Sequence, residues 1–189
     1  MDFTKSIEEY LQLEIETIRK LDVAALDRAG NALLEARERG GTVYTMGNGG
    51  SAATASHMVC DLAKGAYGVI GGKKLRIECL CDNTPIMMAI ANDIGYENVF
   101  VYQLRERLKP EDLVIGISGS GNSENVVRAL RYAKELGTPI LGITGYSGGK
   151  VKELADYSMH VPIDDMQITE DIHMIFDHMI LRVLEESKK

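Results

Sequence analysis

The sequence predicts an α/β fold, a three-layer α/β/α sandwich around a five-stranded parallel sheet, with a helical extension at the N-terminus. Short apolar, β-branched runs alternate with helical segments, and such repeated βα units predict a parallel sheet. Glycine- and serine-rich loops follow two of the runs, which is typical of the carboxyl edge of such a sheet. A chain of 189 residues has the length of one globular domain.

The N-terminal segment is predicted to be helical. Apolar residues recur at three- and four-residue spacing from Thr4 to Arg39, which indicates one or two amphipathic helices before Gly40-Gly41. No linker rich in Pro, Ser or charge interrupts the sequence. We therefore expect a single domain over residues 1–189, with residues 1–39 as the extension and residues 40–189 as the α/β core.

The core is predicted from repeated strand and helix patterns. Five apolar runs indicate the strands, and they are Thr42–Met46, Leu75–Leu80, Leu113–Ile117, Pro139–Ile143 and Tyr157–Val161. Helical patterns follow the first three runs and close the chain, at Ser51–Lys64, Thr84–Asn92, Glu124–Leu136 and Gln167–Leu184.

Composition argues against several classes of function. With 21 Lys and Arg against 28 Asp and Glu, the net charge of −7 disfavours nucleic-acid binding, which depends on basic side chains. The longest apolar run, Pro85–Ala91, is far shorter than the roughly 20 residues of a membrane span. The polar, acidic N-terminus lacks a signal-peptide pattern, so we expect a cytoplasmic protein. Three cysteines do not suggest a disulfide framework.

The loop Ser118–Ser123 (SGSGNS) is a candidate phosphate site. It offers three hydroxyls and two glycines between a predicted strand and a helix N-terminus, where backbone N–H groups favour an anion. No Lys follows the glycines as in a nucleotide-binding P-loop, so a monophosphate suits the loop better than ATP. A Ser/Asn turn that only caps a helix is the alternative interpretation.

The earlier loop, Gly47–Ser51 (GNGGS), occupies the equivalent place after the first strand. Its Asn48 and Ser51 could bind a polyol beside the phosphate. The start of the loop resembles a dinucleotide fingerprint, but Ala52 replaces the third glycine, which disfavours a nicotinamide cofactor.

Ionisable residues cluster on two predicted helices. His57 and Asp61, four residues apart, share one helix face, as two metal ligands or a surface ion pair would. The closing helix carries two histidines and three acids between residues 170 and 178. At about 100° per residue, Asp171 lies roughly 20° and Glu170 roughly 80° around the helix from His178, and spacing alone does not choose between them.

Four motifs resemble those of the phosphoheptose isomerases of the sugar isomerase (SIS) domain family. They are GNGGSAATASHMVCDLAKG, MAIANDIGYENVF, ISGSGNSENVVRAL and EDIHMIFDHMI, and they cover nearly the whole chain in the family's order. The pairing of GNGGS with SGNS is typical of phosphosugar-binding SIS domains. The helix with His57 and the His173 to His178 spacing resemble the heptose isomerase branch.

The resemblance implies interconversion of sedoheptulose 7-phosphate and D-glycero-D-manno-heptose 7-phosphate, in a homotetramer with active sites between subunits and without a nucleotide cofactor. It implies that three serines hold the phosphate and that Asn48, Ser51 and Asp93 meet the sugar. The implied substrate-binding set is Asn48, Gly49, Gly50, Ser51, Asp93, Ser118, Gly119, Ser120, Ser123 and Gln167. Gly119 stands where a hydroxyl residue is common.

The resemblance also implies one zinc ion per subunit. Its ligands would be His57, Asp61, Glu170 and His178. Three positions differ from the residues that are common in the family. Asp61 stands where Glu is common, Glu170 where Gln is common, and Gln167 where Asp is common. These differences leave the substrate preference open.

Asp61 and His178 are the predicted catalytic pair, because isomerisation through an enediol needs a base and an acid, and an imidazole titrates near pH 6.5. The roles of Asp61 as metal ligand and as general acid compete. Two other functions stay open: isomerisation of another sugar phosphate, and a non-catalytic phosphosugar-binding or adaptor protein.

Overall fold

A five-stranded sheet, parallel throughout, forms the centre of the computed structural model, which describes residues 1–65 and 74–186. The strand order is β2-β1-β3-β4-β5. The strands are β1 (Thr42–Met46), β2 (Arg76–Cys79), β3 (Leu113–Ser118), β4 (Ile140–Thr144) and β5 (Tyr157–His160). Every neighbouring pair is parallel, with Val43 opposite Ile77 on one side and Leu113 on the other. The predicted α/β class and five parallel strands are confirmed.

The sheet is buried most deeply at its centre. Every residue of β3 and β4 is buried, as expected for strands covered on both faces. The edge strand β2 differs from the prediction of uniformly apolar strands, because Arg76 and Glu78 are exposed there. An edge strand lacks a neighbour on one side, so charged residues are tolerated and protect it from further pairing.

Helices cover both faces of the sheet. They are α1 (Thr4–Ile18), α2 (Val23–Arg39), α3 (Gly50–Gly65), α4 (Thr84–Asp93), α5 (Val101–Leu104), α6 (Glu124–Leu136), α7 (Gly149–Leu154) and α8 (Met166–Glu186). One core layer joins the sheet to α2, α3 and α8, and the other joins it to α4, α5, α6 and α7. This arrangement is the predicted three-layer sandwich.

The N-terminal helical extension consists of two helices, of which one packs into the core and the other is largely exposed. The carboxylate of Asp22 caps α2 by accepting the N–H of Ala25 at 3.0 Å, and α2 buries one face in the core. In contrast, α1 is largely exposed and is tied to α8 by a hydrogen bond from Tyr10 to Asp171. Among the described residues, none of the helices combines the length and apolar character that a membrane crossing requires.

The strand order places the two predicted loops side by side. Strands β1 and β3 are neighbours, so the loops that follow them meet at the carboxyl edge of the sheet. Ligands of open α/β sheets bind at this position.

Candidate active site

The loop after β3 has a tightly constrained backbone. Gly121 adopts a φ of +67°, and a Cβ there would collide with the carbonyl group of Gly148, so a glycine is required. The N–H of Gly121 donates to the carbonyl of Ser118 at 2.9 Å. The hydroxyl of Ser118 donates to that of Ser123 at 3.2 Å, directly before α6. The loop therefore gathers hydroxyls at a helix N-terminus, the position that favours an anion.

A pocket of about 110 Å³ opens between the two loops. We call it the serine pocket, and it is lined by Asn48, Ser51, Ile117, Ser118, Gly119, Ser120, Ser123, Met166 and Glu170. Six predicted substrate-binding residues thus share one cavity. None of the described residues that line it is a Lys or an Arg, so an anion there would be held by neutral donors.

The side chain of Asn48 is fixed by two neighbouring elements. It exchanges a reciprocal pair of hydrogen bonds with Asn125 on α6, at 2.9 and 2.8 Å. The hydroxyl of Tyr96 donates to the Asn48 amide oxygen at 2.7 Å. Asn125 and Tyr96 were not among the predicted residues, although both lie within motifs of the sequence, and they position Asn48 at the pocket wall.

Four predicted substrate-binding residues do not line the serine pocket. Gly49 directly precedes α3, and Gly50, the first residue of α3, leaves room for the Glu170 side chain, which a Cβ on Gly50 would strike. Asp93 is exposed at the end of α4, where it accepts a hydrogen bond from Asn92 at 2.7 Å. Gln167 is exposed in the first turn of α8. Their contact with substrate stays a prediction.

A second group of functional side chains lies where α3 packs against α8. We call it the histidine–aspartate cluster, and its members are His57, Asp61, Asp177 and His178. One ligand atom from each lies within 4.8 Å of every other. The Nε2 atoms of His57 and His178 are 3.2 Å apart, and Oδ2 of Asp61 lies 3.5 Å from the first and 3.9 Å from the second. The structure thus brings both predicted catalytic residues together.

Asp177 is the buried member of this cluster. Its side chain is 0% exposed, against 58% for His178, and neither of its oxygens has a hydrogen-bond partner among the described residues. Burial and the nearby carboxylate of Asp61 raise the pKa of Asp177 to about 6, against the opposing influence of the two histidines. A carboxyl group in this position is costly unless another group compensates it.

The structure arranges the four predicted zinc ligands in two places. His57, Asp61 and His178 belong to the histidine–aspartate cluster, whereas Glu170 lies in the serine pocket. Sequence reasoning gave Asp177 no role. The signal available was an acid inside the apolar stretch Met174–Leu181, which is unusual for a helix that faces a core.

His173 shares α8 with these residues but faces the core. It is 1% exposed, its ring stacks on Phe176, and within the part of the chain that the structure describes neither ring nitrogen has a hydrogen-bond partner. Burial lowers the pKa of His173 to about 4. Its contribution is to the packing of α8.

Comparison with known families agrees with this site. The model of the SIS domain family matches residues 3–145, which include both loops and the α3 half of the cluster. The chain belongs to the SIS domain family.

Individual relatives of this SIS chain extend over nearly all of it. A phosphoheptose isomerase of Aliarcobacter butzleri is 36% identical and covers 94% of this chain and 91% of its own length. A phosphoheptose isomerase of Helicobacter pylori strain P12 is 37% identical and covers 94% of the chain and 89% of its own length. The solved structure of a phosphoheptose isomerase from Neisseria gonorrhoeae superposes with a TM-score of 0.88, at 27% identity, over 98% of this chain and all of that one.

The histidine–aspartate cluster has the chemistry of a metal site. Two imidazole nitrogens and two carboxylates are ligands that zinc accepts, and four is the usual number of its ligands. Because no described residue forms a hydrogen bond with the Asp177 carboxylate, a cation would compensate its buried charge. The residues therefore fit a bound divalent ion.

Proposed function

We propose that this protein is an aldose–ketose isomerase that converts sedoheptulose 7-phosphate to D-glycero-D-manno-heptose 7-phosphate. The observation that carries the proposal is the placement of a pocket suited to a phosphate next to a cluster suited to acid–base chemistry. The relatives named phosphoheptose isomerase, at 36% and 37% identity over 94% of the chain, support this choice of reaction and substrate.

The two regions are connected by the same helices. On α3, Ser51 lines the serine pocket and His57 belongs to the cluster. On α8, Glu170 lines the pocket and Asp177 belongs to the cluster. Six residues of helix separate Ser51 from His57, which corresponds to about 9 Å along the axis. A sugar phosphate whose phosphate lies at the serine loop and whose hydroxyl lies at Ser51 would extend from there towards the cluster with its carbonyl end.

Substrate binding is assigned to neutral groups. The hydroxyls of Ser118, Ser120 and Ser123 and the N-terminus of α6 would hold the phosphate. Asn48, held by Asn125 and Tyr96, would meet a sugar hydroxyl together with Ser51. We assign Asp93 and Gln167 to the sugar as well, on the resemblance to the family.

The reaction needs two coordinated proton movements. One proton leaves C1 of the ketose and one is delivered to C2, while a hydroxyl proton passes from O1 to O2 through the enediol. His178 and Asp61, with 3.9 Å between their nearest nitrogen and oxygen, form the base and acid pair. A zinc ion held by His57, Asp61 and His178 would supply Lewis-acid polarisation of the carbonyl group. Glu170 as the fourth ligand stays a prediction.

We further propose that the enzyme works as a homotetramer in the cytoplasm. The apolar side chains of Ile7 and Leu11 on α1, and of Phe3 directly before it, are more than half exposed and offer a surface for a second copy. All three cysteines are free, as in a reducing compartment. Light scattering after size exclusion should give four times the subunit mass of 20.8 kDa, and a monomeric mass would reject the tetramer.

The proposed function is tested by incubating the purified protein with sedoheptulose 7-phosphate in deuterated water and following the products by NMR. We expect an aldoheptose 7-phosphate with deuterium at C2, because the proton added there exchanges with solvent in the enediol. Repeating the assay after chelation and after addition of zinc tests the metal. Absence of conversion in every condition, with the sugar phosphate still bound, would reject the isomerase and favour a binding protein or another sugar.

A further inference from the structure

Two cysteines lie one residue apart where the edge strand β2 ends. Cys79 is the last residue of β2, and Cys81 follows in a turn in which the N–H of Asp82 donates to the carbonyl of Cys79 at 3.4 Å. The backbone N–H of Cys81 donates to the sulfur of Cys79 at 3.4 Å, and the two thiols also interact with each other. Both thiols are free and half-buried. We call these two residues the cysteine pair.

The turn brings the cysteine pair into the range in which a disulfide can form. Side chains two residues apart in a strand point to the same side, with their Cα atoms about 6.6 Å apart. A disulfide joins residues whose Cα atoms are up to about 6.8 Å apart, and a turn is more compact than a strand. A bond between Cys79 and Cys81 therefore needs little movement of the backbone.

The two thiols differ in access and in acidity. Cys79 lines a surface cavity of about 500 Å³. Cys81 instead donates its thiol hydrogen to the carbonyl of Gly47 at 3.3 Å. The thiol and the N–H of Cys81 lower the pKa of Cys79 against the influence of burial, whereas the contact with Cys79 and burial raise the pKa of Cys81. The accessible thiol is thus the one that ionises more readily and has a second thiol beside it, as in oxidation-sensitive cysteines.

Gly47 connects the cysteine pair to the serine pocket. It begins the GNGGS loop, and a Cβ at this position would lie 2.7 Å from the backbone of Ser51, so the loop is tightly packed. The next residue, Asn48, lines the serine pocket. The hydrogen bond from Cys81 therefore holds the first carbonyl of a loop whose next residue faces the ligand.

We propose that Cys79 and Cys81 form a reversible disulfide when a hydroperoxide oxidises them, and that this bond weakens the binding of sugar phosphate in the serine pocket. The thiolate of Cys79 attacks one peroxide oxygen, the O–O bond breaks, and the leaving hydroxide takes up a proton to form water. Cys81 then attacks the sulfur of the resulting sulfenic acid, the S–O bond breaks, and the hydroxyl leaves as water with the Cys81 proton. Two electrons pass from the two sulfurs to the peroxide. A neutral oxidant suits the cavity, which Glu78 and Asp82 also line.

The disulfide removes the thiol hydrogen that Cys81 donates to Gly47, so the GNGGS loop loses a contact next to Asn48. The effect on binding rests on the proposed function, since it regulates the sugar-phosphate site of that isomerase. Formation of the disulfide itself is independent of the reaction that the site catalyses.

The first test is mass spectrometry of the full-length protein after treatment with hydrogen peroxide. Both members of the cysteine pair lie in the tryptic peptide 77–105, which should lose two hydrogens and regain them with a reducing agent. Cys60→Ser, a control outside the pair, should behave like wild type. In Cys81→Ser, Cys79 should stop at the sulfenic acid, which dimedone traps. In Cys79→Ser, Cys81 should stay reduced.

The second test is calorimetric binding of sedoheptulose 7-phosphate. Peroxide should raise the Kd of wild type and of Cys60→Ser about threefold, because one weak hydrogen bond beside the pocket is lost. A reducing agent should restore the original Kd. Cys79→Ser should keep its affinity in peroxide, which controls for oxidation of methionines.

The inference is overturned if the wild-type peptide keeps both thiols in peroxide, if Cys79→Ser responds like wild type, or if the disulfide forms without a change in sugar-phosphate binding. The isomerase assay separates this result from the proposed function. A protein that shows the expected disulfide and the expected change in Kd without converting sedoheptulose 7-phosphate would reject the function alone. Conversion by a protein whose affinity does not change in peroxide would reject the switch alone.

Discussion

The serine pocket and the histidine–aspartate cluster are built on the same two helices but from opposite kinds of groups. The pocket presents hydroxyls, an amide and a helix N-terminus around one carboxylate, and no Lys or Arg is among its described lining residues. The cluster is composed entirely of ionisable side chains. Neutral groups bind an anion without exchanging protons with it, whereas imidazoles and carboxylates can exchange them. We therefore assign substrate binding to the serine pocket and proton transfer to the histidine–aspartate cluster.

Replacing His178 should distinguish most clearly between the role of the cluster in turnover and the role of the serine pocket in binding. We expect His178→Gln to lower kcat about 10³-fold with little change in sugar-phosphate affinity, because a proton-transfer group is lost and the serine pocket is intact. Turnover at saturating zinc and calorimetric binding of the sugar phosphate measure the two effects. Near-normal turnover would contradict the role of His178.

The second prediction concerns a pH effect that belongs to neither region. Burial lowers the pKa of His173 in the folded protein to about 4, so the unfolded chain, with an ordinary histidine pKa near 6.5, binds the proton more readily. The neutral ring therefore contributes fully to the free energy of unfolding above pH 6.5, and this contribution is lost as the pH falls towards 4. At pH 4 the free energy of unfolding is lower by about 3 kcal/mol for this reason.

His173→Leu should remove this dependence, because the leucine has no proton to gain. Urea unfolding at pH 7, 5.5 and 4.5 measures it. Equal pH slopes in both proteins would contradict the assignment. The comparison also shows which part of an acid loss of activity comes from unfolding and which from the cluster.

The smallest expected effect is on the serine pocket. Ser120→Ala combined with Ser123→Ala should raise KM roughly tenfold and leave kcat nearly unchanged, since two hydroxyl contacts to the phosphate are lost equally in ground and transition states. Ser147→Ala, in an exposed turn outside the pocket lining, is the control. An unchanged KM in the double variant would remove the loop from the binding site.

The sequence predicted the parts of this molecule that depend on local patterns. The boundaries of β1 and α6 were predicted without error, because a buried apolar run and a strong helical period mark them. The short helices α5 and α7, of four and six residues, were missed because they are too short to show a period. The single-domain boundaries over residues 1–189 stay a prediction.

The parts of the candidate site that depend on local patterns were also predictable. The serines at the end of β3 and in the loop after it follow from the composition of that loop, and the pair His57 and Asp61 follows from helix spacing. Asp177 could not be assigned, since its burial depends on how α8 packs against α3, more than a hundred residues earlier in the chain. The reciprocal contact of Asn48 with Asn125 likewise depends on the neighbouring positions of β1 and β3.

The pairing of β1 with β3 also bears on how the chain acquires its site during synthesis. Val43 and Leu113 are opposite each other although about 70 residues separate them, and the cluster is completed only by residues near the C-terminus. Contacts this distant form late, because the intervening chain must first be ordered. A chain that ends before α8 would retain the GNGGS segment but lack Met166 and Glu170 of the pocket as well as Asp177 and His178 of the cluster, so both regions are completed when α8 packs.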